Sequence, residues 1–247
     1  MIHGDAKKGR LEMTMSVKGK IILVTGASEG IGRAIALKLA EEGACLVVAA
    51  RTEQKLEALA SEIRQRGGSA LAIRADVTRS DEVGALVEKT VAAYGRLDIL
   101  VNNVGRGLRK PFVATTDEEW DRLVAVNLSS VVFGCRAALP VLERQGKGQI
   151  INIASRSGRV GEANLAAYSA VKHGVVGLTK ALAEEEGPKG IHINAICPGS
   201  VRTERMEKIL PQVDKSSWLA PEDVAAAVVY LAEGAGERMQ GQTIDLF

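Results

Sequence analysis

The stretch TGASEGIG at residues 25–32 sets three glycines, Gly26, Gly30 and Gly32, between an apolar run, IILV at 21–24, and a helical pattern, GRAIALKLAEEG at 32–43. A glycine lets the chain leave a strand in a tight turn, and it lets backbone come close to a ligand. The helix that follows presents free N–H groups and the positive end of its dipole, which suits phosphate. The spacing is G-x-x-x-G-x-G, not the commonest dinucleotide fingerprint G-x-G-x-x-G. Taken alone, such a turn serves equally well as a plain strand–helix junction.

The same alternation continues outward from the turn. ACLVVAAR at 44–51, SALAIRADV at 69–77, LDILVNNVG at 97–105, GQIINIAS at 148–155, IHINAICPG at 191–199 and QTIDLF at 242–247 read as further strands. Helical patterns lie between them: 52–68, 80–95 with Ser80 as N-cap, a long zone over 116–145, a helix containing 168–186, and one opening at Pro221. Strands apolar on both faces, each followed by a helix, predict a parallel sheet covered on both sides. The fold class expected is α/β: one doubly wound sheet of about seven strands, in a single domain over 18–247. Ligands of such sheets bind beyond the carboxyl ends of the strands.

Composition narrows the function. Of 247 residues 46% are hydrophobic, enough for a sizeable core, and 32 basic residues nearly balance 30 acidic ones to a net charge of +2. No polyanion-binding surface is implied, so nucleic acid is not the expected partner. Cys45, Cys135 and Cys197 are far apart, without metal-ligand spacing, and read as free thiols of a cytoplasmic protein. No metal site is expected. No uninterrupted apolar run approaches the roughly 18 residues of a membrane span. Residues 1–17 are charged, lack a signal-peptide pattern and are expected to form a tail, with Met13 and Met15 as candidate alternative starts.

The second strand ends VVAARTEQK at 47–55. An NAD-binding fold carries an acid near this point to hold the ribose hydroxyl. Here Ala50 occupies that place and Arg51 follows, and a guanidinium suits a ribose 2′-phosphate. NADP(H) is therefore favoured, with NAD(H) still possible. Glu29 is expected to pair with Arg51 or Arg33 and to temper that preference.

From 18 to 247 the chain resembles the short-chain dehydrogenase/reductase family, whose fold is of Rossmann type. The resemblance rests on ordered motifs: TGASEGIG, ADV with Asp76, NNVG at 102–105, VNL with Asn127, Ser155 in NIASRSG, YSAVK with Tyr168 and Lys172, and PGSVRT at 198–203. It implies that Asn127, Ser155, Tyr168 and Lys172 are catalytic. It further implies that Gly26, Ser28, Glu29, Gly30, Ile31, Gly32, Arg51 and Thr52 border the cofactor, and that Asp76 and Val77 hold the adenine. Asn102, Asn103, Val104 and Gly105 would flank the cofactor, while Pro198, Gly199, Val201 and Thr203 would shape the nicotinamide site. Val104 replaces the commoner alanine, and Glu29 replaces a basic residue of many NADP-dependent members. Relatives are usually homotetramers built on the long helices after the fourth and fifth strands.

The chemistry agrees with these roles. Tyr168 and Lys172 are four apart and share a helix face. An ammonium about 5 Å from a phenol, at an effective dielectric of about 20, favours phenolate by roughly 3 kcal/mol, or about 2 pKa units. Tyr168 would then exchange the proton on a carbonyl or alcohol oxygen, with Ser155 orienting that oxygen, while hydride moves to or from the nicotinamide. His173 and His192 are expected to be structural. The complete set argues against a non-catalytic dinucleotide sensor. The stretch from 154 to 185 is most similar to 3-oxoacyl-[acyl-carrier-protein] reductases, and it resembles alcohol, sugar and polyol dehydrogenases as well. Arg106, Arg109, Lys110, Arg156, Arg159, Arg202 and Arg205 fall in the loops above the expected site, which suggests an anionic substrate or an acidic carrier.

Overall fold

The computed structural model describes residues 16–247. Its strands are β1 (Ile21–Thr25), β2 (Cys45–Ala50), β3 (Ser69–Arg74), β4 (Ile99–Asn102), β5 (Gly148–Ile153), β6 (Ile191–Pro198) and β7 (Thr243–Leu246). All pair in parallel, in the order β3-β2-β1-β4-β5-β6-β7. The helices are α1 (Gly30–Glu41), α2 (Glu53–Gln65), α3 (Ser80–Tyr94), α4 (Asp117–Val124), α5 (Ser130–Gln145), α6 (Ala166–Glu186), α7 (Glu204–Ile209) and α8 (Pro221–Tyr230).

The apolar strands bury residues alternately on both faces. Ile22, Val24, Leu46, Val48 and Val101 face α1, α2 and α8, whereas Leu23, Val47, Leu100, Ile150 and Ile193 face α3, α5 and α6. Each such side chain, removed from water, contributes roughly 2 kcal/mol before chain entropy is set against it. The chain winds from β1 toward β2 and β3, then returns to place β4 on the other side of β1. That reversal opens a crevice at the carboxyl ends of β1 and β4.

Three sequence expectations need adjusting. Val17 is fully buried in the core beneath α1, so the expected tail over 1–17 stops short of it; residues 1–15, with Met13 and Met15, lie outside the described residues. Ser80 is the first helical residue of α3 and not its cap; Arg79 holds the cap position. The continuous helical zone Asp117–Gln145 does reach the length and mean hydropathy of a membrane span, because its charges crowd toward the two ends and leave only Arg136 between 123 and 142. Val131, Cys135, Ala138 and Leu142 of α5 nevertheless lie in the core against the sheet.

Candidate active site

At the end of β1 the glycine turn is fixed from both sides. Gly26 and Gly30 have φ of 65° and 55°, which a β-carbon disfavours. A β-carbon on Gly32 would lie 2.2 Å from the Gly26 carbonyl oxygen, so α1 packs directly on the turn. Asn103, just past β4, donates from Nδ2 to the carbonyls of Thr25 (3.0 Å) and Gly26 (3.3 Å). Thr25 Oγ1 accepts from the Asn103 amide at 3.0 Å. The first turn of α1 has no acidic residue and no side-chain cap. Its leading N–H groups thus remain available to an anion.

Glu29 makes no ion pair with Arg51 or Arg33 among the described residues. It pairs with Lys55 at 2.8 Å, on the first turns of α2, while Arg33 pairs with Glu62. The Lys55 hydrogen bond holds the Glu29 carboxyl below its ordinary range. The expectation of an arginine partner fails because α2 brings Lys55 over the turn. Arg51 is exposed and has no ion pair among the described residues. Thr52 takes the cap position of α2 without a side-chain bond. Asp76 accepts from the Thr78 amide (3.0 Å) and hydroxyl (2.8 Å); burial pushes its carboxyl up, but these bonds and Arg51 bring it below the usual value. Ser28 and Ile31 are half-buried in the turn, and Val77 is buried beside Asp76.

The loops after β4 and β6 complete the crevice. Val104 packs 2.9 Å from where a Gly26 β-carbon would be, and Gly105 leaves only 3.2 Å to both Asn127 Oδ1 and Lys172 Nζ. Pro198 ends β6, the Gly199 amide donates to Leu246, and Val201 bridges to Leu219. Thr203 caps α7 by accepting from the Met206 amide at 3.3 Å. Its methyl lies 3.2 Å from the position of a Gly30 β-carbon, so this loop meets the glycine turn.

Tyr168 and Lys172 project from one face of α6. The Lys172 Nζ lies 5.9 Å from the Tyr168 ring centroid, and Lys172 is only 2% exposed. Its ammonium donates to the Ile153 carbonyl at 2.9 Å, anchoring α6 to the end of β5. Burial lowers the Lys172 pKa to about 8. Tyr168 departs from the expected downward shift: burial raises its phenol, and a hydrogen bond with Ser155 pulls only partly the other way. Desolvation of the phenolate outweighs the Ser155 hydrogen bond and the charge of Arg205. Ser155 follows β5 and also accepts from the Ser157 amide at 3.2 Å. Cys197, on the neighbouring β6, is fully buried, and its thiol is pushed up to about 11, chiefly by burial.

Asn127 sits in a π-helical turn, Ala125–Ser129, between α4 and α5. Its Nδ2 donates to the carbonyls of Leu123 and Arg106, both at 3.0 Å, and its Oδ1 accepts from the Arg106 amide at 2.9 Å. It therefore holds the loop after β4 against Lys172. Asn102, expected to flank the cofactor, is instead buried and donates to Asn152 at 2.9 Å; Asn152 donates on to Thr179 at 2.9 Å. Asn102 ends β4 within the sheet, so its side chain ties β4, β5 and α6 together below the crevice. This ladder and the Asn103 clamp escaped sequence reading, although polar residues ending apolar strands are the signal for them.

His173 bonds the Ser169 carbonyl of its own helix at 2.9 Å, and His192 lies near the start of β6, away from the crevice. No cluster of potential metal ligands occurs among the described residues. The basic mouth is less cationic than expected. Arg109 pairs with Glu162, Lys110 with Glu119 and Arg159 with Asp245, while Arg156 reaches Glu162 and stacks on Phe247. Arg106, Arg202 and Arg205 have no ion pair among the described residues. A hollow of about 370 Å³ lies at the other end of the strands, at the amino ends of β1, β4, β5 and β6; Lys20, Arg96, Asp98, Gln149 and His192 line it, and none of the crevice residues does.

A family model described as short chain dehydrogenase matches residues 20–214. The chain belongs to the short-chain dehydrogenase family. It is 40% identical over 234 residues to the 3-oxoacyl-[acyl-carrier-protein] reductase of Staphylococcus aureus, covering 91% of this chain and 95% of that one. A short-chain type dehydrogenase/reductase of known structure from Mycobacterium marinum superposes with a TM-score of 0.88 at 35% identity, covering 94% and 96% of the two chains. Actinorhodin polyketide ketoreductase, solved with NADPH, superposes with a TM-score of 0.86 at 35% identity, covering 92% and 95%.

As a short-chain dehydrogenase, the protein is an NAD(P)-dependent oxidoreductase acting on CH–OH or C=O groups. The crevice fits such a dinucleotide. Gly26, Gly30 and Gly32 let the turn fold tightly against Asn103, Val104 and Thr203 with its backbone bare of side chains, the α1 N-terminus is uncapped by side chains, and Arg51 is exposed beyond the end of β2.

Proposed function

We propose that the protein is an NADP(H)-dependent carbonyl reductase in which Tyr168 is the general acid, and that its substrates include 3-oxoacyl thioesters. The observation that carries the reading is the convergence of Ser155, Tyr168 and a buried Lys172 beside the glycine turn. Gly26, Ser28, Gly30, Ile31 and Gly32 would hold the pyrophosphate side of the dinucleotide; Arg51 and Thr52 the ribose phosphate; Asp76 and Val77 the adenine. Val104 and Gly105 would line its middle, and Pro198, Gly199, Val201 and Thr203 its nicotinamide end. The bound dinucleotide supplies the hydride.

The chain's own residues handle the proton. Ser155 donates a hydrogen bond to the substrate carbonyl oxygen and sets it against the Tyr168 hydroxyl. As negative charge develops on that oxygen, the Tyr168 O–H bond breaks and its proton passes to the oxygen. The phenolate left behind is stabilised by Lys172, whose ammonium is held on the far side by the Ile153 carbonyl. Burial keeps the phenol protonated, which suits an acid in the reducing direction.

A second reading, an alcohol, sugar or polyol dehydrogenase, draws on a specific observation. The ion pairs of Arg109, Lys110 and Arg159 remove much of the cationic rim that an acidic carrier would meet. Assaying ketones, acyl thioesters and polyols with NADPH and NADH in both directions separates the two. Turnover only with polyols and oxidised cofactor would overturn the reductase reading. Tyr168→Phe is expected to lower kcat at least 1000-fold while leaving the Kd for NADPH within about twofold, on the scale of lost acid catalysis. Retained turnover would sink the assignment of Tyr168.

A further inference from the structure

Arg106 and Arg205 sit on the two segments that flank the crevice, the loop after β4 and the start of α7. Arg106 follows Gly105, and its backbone is held at both its amide and its carbonyl by Asn127, at 2.9 and 3.0 Å. Arg205 lies two residues past Thr203, on the first turn of α7, and Thr203 rests 3.2 Å from the β-carbon position of Gly30. Both arginines are thus carried by segments that touch the two halves of the nucleotide crevice. Neither has an ion pair among the described residues.

Their charges are close enough to be felt. Arg205 is the largest influence lowering the Arg106 pKa, ahead of desolvation, Arg122 and Arg51. Arg205 also acts on Glu29, at the glycine turn, and on Tyr168, at the reacting end. Thr203, two residues before Arg205, touches the glycine turn, where the phosphates of a dinucleotide would lie. Like charges facing each other across a crevice are unfavourable until an anion separates them.

We infer that Arg106 and Arg205 form a two-sided clamp on the pyrophosphate of the bound dinucleotide. Their guanidiniums oppose the backbone N–H groups of the glycine turn, so the phosphates are held from above and below. The clamp serves both cofactors, since the pyrophosphate is common to them, whereas Arg51 acts on the 2′-phosphate of one. The inference rests on the nucleotide crevice proposed above. Its failure is separable from failure of that reading, because unaltered binding in the variants leaves the crevice itself intact.

The test is equilibrium titration of NADPH and NADH, without substrate, into Arg106→Gln, Arg205→Gln and Arg51→Gln, with the melting temperature of each unliganded variant. Arg106→Gln and Arg205→Gln are expected to raise Kd about tenfold for both cofactors by the same factor, the scale of one charge-assisted hydrogen bond. Arg51→Gln should affect NADPH alone. Unliganded Arg106→Gln should melt no lower than the parent, because a like-charge contact is lost. Arg106→Lys and Arg205→Lys should recover most of the affinity, which distinguishes charge from folding. Unchanged Kd for either cofactor, a loss confined to NADPH, or an effect on substrate KM alone would each overturn the clamp.

Discussion

Single atoms decide much in this site. Gly32→Ala would put a methyl 2.2 Å from the Gly26 carbonyl oxygen, where backbone has to give way. The expected cost is about 2 kcal/mol, or a fall in Tm of roughly 4–8 °C, with weakened NADPH binding checked by titration. Glu29→Gln releases Lys55 toward the ribose end and is expected to raise the NADPH:NADH affinity ratio roughly twofold to fivefold; an unchanged ratio would show that Lys55 stays clear of the phosphate. The buried Lys172 predicts a pH effect of definite sign. Its folded pKa is about 8 against an ordinary 10.5, so below pH 8 the folded protein carries the full burden of a buried charge. Between pH 8 and 10.5 the unfolded chain binds more protons, and stability rises with pH, by at most about 1.4 kcal/mol per unit. Denaturant titrations at pH 7.5, 8.5 and 9.5 should show this rise relative to Lys172→Met. At this scale the sequence was legible for residue types and opaque for partners. The Tyr168–Lys172 spacing is written in the chain. The desolvation that reverses the Tyr168 shift, and the lysine that takes Glu29, depend on distances between elements.

Among the elements, strands apolar on both faces and punctuated by glycine could be read directly, and every expected strand is present. What the pattern does not carry is the π-helical turn at Ala125–Ser129, since a one-residue widening leaves helical periodicity almost intact. That turn positions Asn127, and Asn127 makes three hydrogen bonds to backbone of two segments. Asn127→Ala is expected to increase amide exchange over residues 104–108 and to lower kcat about tenfold, with the rest of the sheet equally protected. Exchange unaltered at 104–108 would remove Asn127 as the strut of that loop. Asn102 shows the converse: its motif placed it beside the cofactor, but one step along a strand turns a side chain to the other face. Its neighbour Asn103 faces the turn and Asn102 the interior.

For the whole molecule, the reversal of strand order between β1 and β4 locates the crevice before any side chain is considered. Assembly is a different matter, because it depends on surfaces that one chain presents to another. We propose a homotetramer through α4, α5 and α6. Light scattering should then return about four times the 26.1 kDa chain mass, and a monomer mass would refute it. Substrate identity was the least legible property of all. It depends on loop charges, and pairing with Glu162, Glu119 and Asp245 silences several of those that looked available.

The burial of Cys197 has a practical corollary. The thiol lies on β6 with no exposed surface, and with a pKa of about 11 it is almost wholly protonated at neutral pH. A thiol-directed reagent therefore finds it only when β6 and the anchored Lys172 come apart. The chain carries its own clock for breathing of the active site: the alkylation rate of Cys197, read by mass spectrometry, counts openings. Saturating NADPH should slow that clock.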